Sequence, residues 1–321
     1  MQVTVETDDF TGVGETAPIP GLAGPKLEQL ATEIAAWCRS VGTAGVDEAI
    51  DDLDSHDQSP LSRFAIHTAL IDLQARHADM PVSAHLQDGA ATRVRVNALI
   101  GESSPAAVHS RARLLVEQGF TALKLKVGAV DHSLDITRIV AASEAAGSAV
   151  ELRLDANRSW SAQAAERVIG RVGKHRISYI EDPTDDLSEY ASLAAATGVP
   201  VALDLGVGHN PDLDIKSANV GILVVKPAAV GGIDRLLALA QRYPDHRIVV
   251  SSSIDREVGL AAAVHVAAAL PAGSGPHGLA TGRLIRNLDP TLLDANGEVR
   301  VPAGPGVWNE NVNDDDQWDG A

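Results

Sequence analysis

From about residue 93 onward the chain alternates short apolar runs with Ala-rich stretches of helical spacing. No other feature constrains the fold as much. The apolar runs cover 94–100, 122–127, 150–155, 177–182, 199–204, 222–226, 248–252 and 277–280. Helical spacing fills 105–118, 133–146, 162–172, 187–196, 233–242 and 258–269. Continuous apolar strands joined by helices predict a parallel sheet covered on both faces. Eight such units predict a closed (β/α) barrel rather than an open, doubly wound sheet. No Gly-rich dinucleotide fingerprint or phosphate loop follows the first strand, which removes the main reason to prefer the open form. At 321 residues the chain can bury a large core, and with 3% aromatics that core must be built from Ala, Val, Leu and Ile.

The residues before the barrel read as a small α+β unit spanning 1–92. Residues 2–6 alternate like a strand, and 12–21 (GVGETAPIPG) are turn-rich, leading out of a second strand. Helical spacing follows over 26–39 and again over 60–77, where Ser59 is the expected N-cap and Pro60 the first helical residue. The barrel is expected over 93–283 and a Pro- and Gly-rich tail over 284–321, frayed at its acidic end. The formal charge of −17 argues against nucleic acid or an anionic membrane as partner. Cys38 is the single cysteine, so no intramolecular disulfide forms. No signal peptide or membrane-length apolar run is present, and a soluble, cytoplasmic protein is expected.

Active sites of such barrels lie at the C-terminal ends of the strands. In TALKLKVG (121–128), period-2 alternation puts Lys124 and Lys126 on one face, roughly 7 Å apart. Later strands end in Asp155, Glu181, Asp204, Lys226 and Ser251–Ser253. Taken singly, each has an ordinary explanation: a strand-end lysine is usually solvated, and Asp or Asn caps the next helix. Together, carboxylates on three consecutive strands need a cation, and hard oxygen donors suit Mg²⁺. Lys124 and such a cation both disfavour a charged Lys126, tuning it toward a base. The chemistry this implies is proton abstraction α to a carboxylate, with the developing charge held by cations.

The set Lys124-x-Lys126, Asp155, Glu181, Asp204 and Lys226, in this order and on these strands, resembles the enolase superfamily, muconate-lactonizing subgroup. Lysine bases beside Mg²⁺ are that superfamily's general pattern. Within the subgroup the chain is similar to the o-succinylbenzoate synthase family, on GVGETAPIPG at 12–21, LRLDANRSW at 152–160, VVKP at 224–227 and SSSIDREVGL at 251–260. The resemblance implies a (β/α)7β barrel with an N-terminal α+β capping domain completed by the tail. It also implies Mg²⁺ on Asp155, Glu181 and Asp204, with Mn²⁺ as a substitute. Lys126 is then the acid/base, Lys226 an electrostatic stabiliser and Lys124 the group that tunes Lys126. Asn157, Arg158, Ser252 and Ser253 contact a small dicarboxylate, dehydrated on the way to menaquinone. Residues 276–281 lack the Asp-x-Asp of dipeptide epimerases, which counts against that activity. One departure stands out: GVGE comes after only eleven residues, so a shortened cap is expected. Two other readings stay open: epimerisation or N-succinylamino acid racemisation with Lys126 and Lys226 as opposed bases, and a carboxylate-binding barrel without turnover. Oligomeric state is left open.

Overall fold

Strands β1 (Gln2–Glu6) and β2 (Thr11–Glu15) form an antiparallel hairpin, with Val3 opposite Gly14. The structure, a computed structural model, describes all residues except 19–23, 43, 129–130, 174–176, 206–214, 216–219, 272, 286, 293, 295 and 309–321. The frayed acidic end expected for the tail therefore lies outside the described residues. The hairpin is followed by α1 (Leu27–Val41), α2 (Val46–Asp51), α3 (Pro60–His77) and α4 (Val82–Leu86). The Ser59 side chain accepts from the Ser62 amide and Pro60 opens α3, as the sequence predicts. Nearly every residue of α3 is buried, because β2 lies on one side of it and the barrel on the other.

The expected second strand is present as β2 and runs into the stretch 12–21 as far as Glu15. The reason is close packing. A methyl group at Gly14 would run into the backbone carbonyl of Ala65, and one at Gly12 into that of Ala69. Only glycine lets β2 lie directly on α3. Gly14→Ala is therefore expected to destabilise the fold by about 1–3 kcal/mol, measured as a lowered urea midpoint at unchanged slope.

The barrel strands are β4 (Ala98–Ile100), β5 (Ala122–Lys126), β6 (Glu151–Asp155), β7 (Tyr179–Glu181), β8 (Val201–Leu205), β9 (Ile222–Val225) and β10 (Arg247–Val250), parallel and adjacent in chain order. Residues 277–278 close the circle. The His277 amide donates to Arg95 O at 2.7 Å and the Gly278 amide to Val250 O at 2.7 Å. The eighth run thus contributes two bridging residues rather than a full strand. The predicted first run, 94–100, is also divided. Its early part, β3 (Arg93–Arg95), pairs antiparallel with β11 (Glu298–Arg300) from the C-terminal segment, and only β4 enters the barrel.

Around the strands run α5 (Pro105–Glu117), α6 (His132–Ala146), α7 (Ala162–Val172), α8 (Tyr190–Thr197), α9 (Pro227–Val230), α10 (Ile233–Arg242) and α11 (Glu257–Ala269). Leu123 and Leu125 are fully buried on the helix side, while Tyr179, Ala202, Ile222, Val224 and Val249 form a separate cluster. Those five alternate in register with outward residues, so they fill the barrel's interior. The Arg153 guanidinium lies 5.1 Å from the Tyr179 ring centroid in the same interior. It donates to Asn97, Glu151 and Pro276 O, which satisfies a fully buried charge.

The C-terminal segment returns to the cap. The Val82 amide donates to Gly306 O, the Gly306 amide to Met80 O and the Val307 amide to Asp72. Cap and barrel are further tied by buried Arg63 of α3, which donates to Gly231 O at 2.8 Å and to both oxygens of Asp234 on α10. No helix among the described residues is long and apolar enough to cross a membrane.

Candidate active site

Strand register assembles the site. Lys126 is paired with Asp155, and Asp155 with Glu181, so three charged strand ends stand in one row. Asp204 sits two residues beyond Ala202, the partner of Glu181, as the stagger of a closing barrel requires. These residues and Lys226 line one cavity of about 310 Å³ at the C-terminal ends of the strands. Asn97, Leu99 and Arg111 line it on the β4 side, and Ser251, Ser252, Ser253, Ile254, Thr281 and Leu284 on the other.

The charges are interleaved. Lys126 Nζ donates to Asp155 Oδ2 at 2.6 Å and to Asn157 Oδ1 at 3.2 Å. Lys124 Nζ lies 3.0 Å from both Asp155 Oδ2 and Glu181 Oε1. Lys226 Nζ holds Asp204, with Oδ1 at 2.6 Å. Burial alone would lower the Lys124 ammonium, but Glu181 and Asp155 outweigh it and hold it well above the usual lysine range. Asp155 is buried, yet Lys124 and Lys126 keep its carboxyl well below the usual carboxylate range. Glu181 is pushed up to about 7, first by burial and then by Asp155, against the pull of Lys124. Burial, more than any imbalance among three carboxylates and three lysines, raises Glu181.

Among the described residues no three Asp, Glu, His or Cys side chains converge closely enough to form a metal centre as they stand. Each of the three carboxylates is met by a lysine ammonium instead. The donor chemistry nonetheless fits a hard divalent cation: three carboxylates on neighbouring strand ends, one of them raised first by burial and then by its acidic neighbours.

Of the expected substrate contacts, Asn157, Ser252 and Ser253 line the cavity. Arg158 is not among those lining residues. Its backbone is left-handed (φ 61°) and its Nε donates to Asp182 Oδ2 at 2.8 Å. Asp182 was not singled out from sequence. It is buried, and its Oδ1 accepts from the Asp204 amide at 3.0 Å and from the Tyr190 hydroxyl at 3.2 Å. It thus braces the backbone of one strand-end carboxylate from the next strand over.

Two further acids escaped the sequence reading. Glu15, the last residue of β2, accepts from the Arg256 amide at 3.0 Å and the Val258 amide at 3.1 Å, capping the start of α11. Asp255 accepts from the Ser253 amide at 2.8 Å and so shapes the serine loop. Burial pushes Asp255 up to about 6, with Glu15 adding to it. An acid raised in the folded state binds its proton more tightly there than in the unfolded chain. Its folded-state advantage is present at low pH and lost as pH rises from about 4 to about 6. Asp255→Asn is thus expected to gain roughly 2–3 kcal/mol over the parent at pH 8 and nothing at pH 4, read from denaturation at both pH values.

The comparisons with known proteins follow this geometry. An o-succinylbenzoate synthase of Thermobifida fusca is 33% identical over 216 residues, 65% of this chain and 66% of that protein. That of Mycolicibacterium smegmatis is 33% identical over 229 residues, 69% of this chain and 65% of its own length. The matched regions thus span just under two thirds of these relatives. An L-Ala-D/L-Glu epimerase of Bacillus subtilis is 28% identical over 271 residues, 80% of this chain and 74% of its own. Among solved structures, the muconate lactonizing enzyme of Pseudomonas putida superposes with a TM-score of 0.84 over 95% of this chain and 90% of its own, at 22% identity. A dipeptide epimerase of Enterococcus faecalis, solved with Mg and the dipeptide L-Leu-L-Tyr, gives 0.81 over 95% and 89%, also at 22%. These two likenesses carry the fold: an α/β barrel with an N-terminal capping domain. The model of the enolase C-terminal domain-like family matches residues 107–308, well over half of the sequence and nearly all of the barrel, and the chain belongs to that family of the enolase superfamily.

Proposed function

We propose that the chain is an o-succinylbenzoate synthase, dehydrating 2-succinyl-6-hydroxy-2,4-cyclohexadiene-1-carboxylate on the route to menaquinone. The observation that carries this reading is one cavity in which Lys126 and Lys226 face each other across Asp155, Glu181 and Asp204. Support also comes from relatives of that name at 33% identity. Asp155, Glu181 and Asp204 would hold Mg²⁺, which when bound supplies Lewis-acid stabilisation of the charge that develops on the substrate carboxylate.

The chain's own residues do the rest. Lys126 takes the proton α to the ring carboxylate and becomes an ammonium. It then returns that proton to the departing hydroxyl on the same face, so that water leaves and the ring becomes aromatic. Lys226 stays charged on the opposite face and steadies the electron-rich intermediate. Lys124 is held charged by Glu181 and Asp155 and keeps a positive charge close to Lys126 through their shared partner Asp155. Ser252 and Ser253 line the polar wall opposite Leu99.

The test is loss of the cyclohexadiene absorbance on adding Mg²⁺, abolished by a chelator. The epimerase relatives support proton exchange at an α-carbon in general, and the second reading is the racemisation of an N-succinylamino acid. Deuterium uptake at its α-carbon in D₂O, without dehydration of the diene, would replace the first reading by the second.

A further inference from the structure

Recognition of a dicarboxylate requires a second anion subsite away from the catalytic lysines. Three arginines stand near the cavity, and two are committed elsewhere. Arg158 pairs with buried Asp182 and is not among the residues that line the cavity. Arg283 lines the cavity, but its Nε and one terminal nitrogen grip both oxygens of buried Asp294 at 2.7 and 2.8 Å.

Arg111 differs from both. It lies on α5, one turn before Leu115, and both residues line the same cavity as the lysines. Its side chain is 32% exposed. Among the described residues its acidic neighbour is Glu102, whose Oε1 lies 3.8 Å from Nε, beyond hydrogen-bonding reach. Glu102 is itself engaged, its other oxygen accepting from the Gly101 amide at 3.0 Å. A guanidinium carries five donors in a planar fork that matches a carboxylate. The same cavity is lined by apolar Leu99, Leu115, Phe120 and Leu284.

We infer that Arg111 is the subsite for the second carboxylate of the substrate, the one that takes no part in the chemistry. This rests on the dicarboxylate reading above and assigns which residue reads the distal end. The apolar wall accommodates the carbon chain between the two anionic groups, and Arg111 sets how long that chain is. Because the distal carboxylate does not change during the reaction, the contact is made equally in ground and transition states. It therefore appears in KM and not in kcat.

The experiment compares wild-type protein with Arg111→Met, using the diene diacid as substrate with Mg²⁺ and calorimetric binding of o-succinylbenzoate. The same measurements use the analogue whose side-chain carboxylate is a methyl ester. Arg111→Met is expected to raise KM and the diacid Kd by roughly 10- to 100-fold, the worth of a charge-assisted hydrogen bond, at nearly unchanged kcat. The ester should bind both proteins alike. Glu102→Gln, which removes only the competing carboxylate, should tighten the diacid and leave the ester unchanged; it keeps the test decisive if Arg111→Met does not fold. Equal diacid binding by wild-type and Arg111→Met, or an equal loss for diacid and ester, overturns the subsite while leaving the synthase reading intact. A wild-type protein that neither turns over nor binds the diacid overturns both.

Discussion

Lys126→Ala is expected to reduce dehydration of the diene by about 10²–10⁴-fold in kcat, the usual contribution of a positioned acid/base. The fold should survive, because Asp155 keeps a second ammonium, Lys124, at 3.0 Å. A melting temperature close to that of the parent, with turnover lost, is the result to look for. Near-parent turnover in a folded Lys126→Ala protein would remove Lys126 from the mechanism. Lys226→Arg sharpens the assignment. An arginine preserves the charge that a stabiliser supplies but cannot act as a base at neutral pH. If Lys226 only stabilises, dehydration survives in part. If the protein is a racemase, exchange at the α-carbon from the Lys226 face disappears.

The largest expected effect on stability is Arg63→Ala. The Arg63 side chain is 3% exposed and joins Asp54, Gly231 O and Asp234. Its removal leaves the Gly231 carbonyl without that donor and takes the cation from Asp234. A fully buried pair broken in this way costs about 3–5 kcal/mol, and partial hydration of Asp54 and Asp234 brings the expectation to about 3 kcal/mol. Chemical denaturation would measure it. Loss below about 1 kcal/mol would mean that α3 and α10 are held together by apolar packing alone. Arg63→Lys should recover only part, since an ammonium cannot reach two carboxylates and a carbonyl with one planar fork.

Strand alternation made Lys124 and Lys126 readable from the sequence, because a residue's face follows from period 2 and nothing else. Asp155, Glu181, Asp204 and Lys226 were legible as strand ends for the same reason. The left-handed backbone at Asn157 and Arg158 (φ 44° and 61°) was not legible, since no strand alternation encodes it. Asp182 was not legible, because its role depends on an amide 22 residues later, at the end of the next strand. The pairing of β3 with β11 joins segments about two hundred residues apart, which no local pattern encodes. Arg111, midway along a helix, reads from sequence as one more solvated cation.

Glu15 has a consequence for anyone recombining this protein with its relatives. The carboxylate that completes the first turn of α11 is carried by a segment some 240 residues upstream. A chimera that takes its barrel from one parent and its first strands from another keeps the serine loop of 251–253 but takes the acceptor for the amides of Arg256 and Val258, and the strand that positions it, from the other parent. Crossovers placed between residues 15 and 255 therefore split one unit of inheritance, and libraries that co-transfer both segments should yield more active progeny than those that divide them.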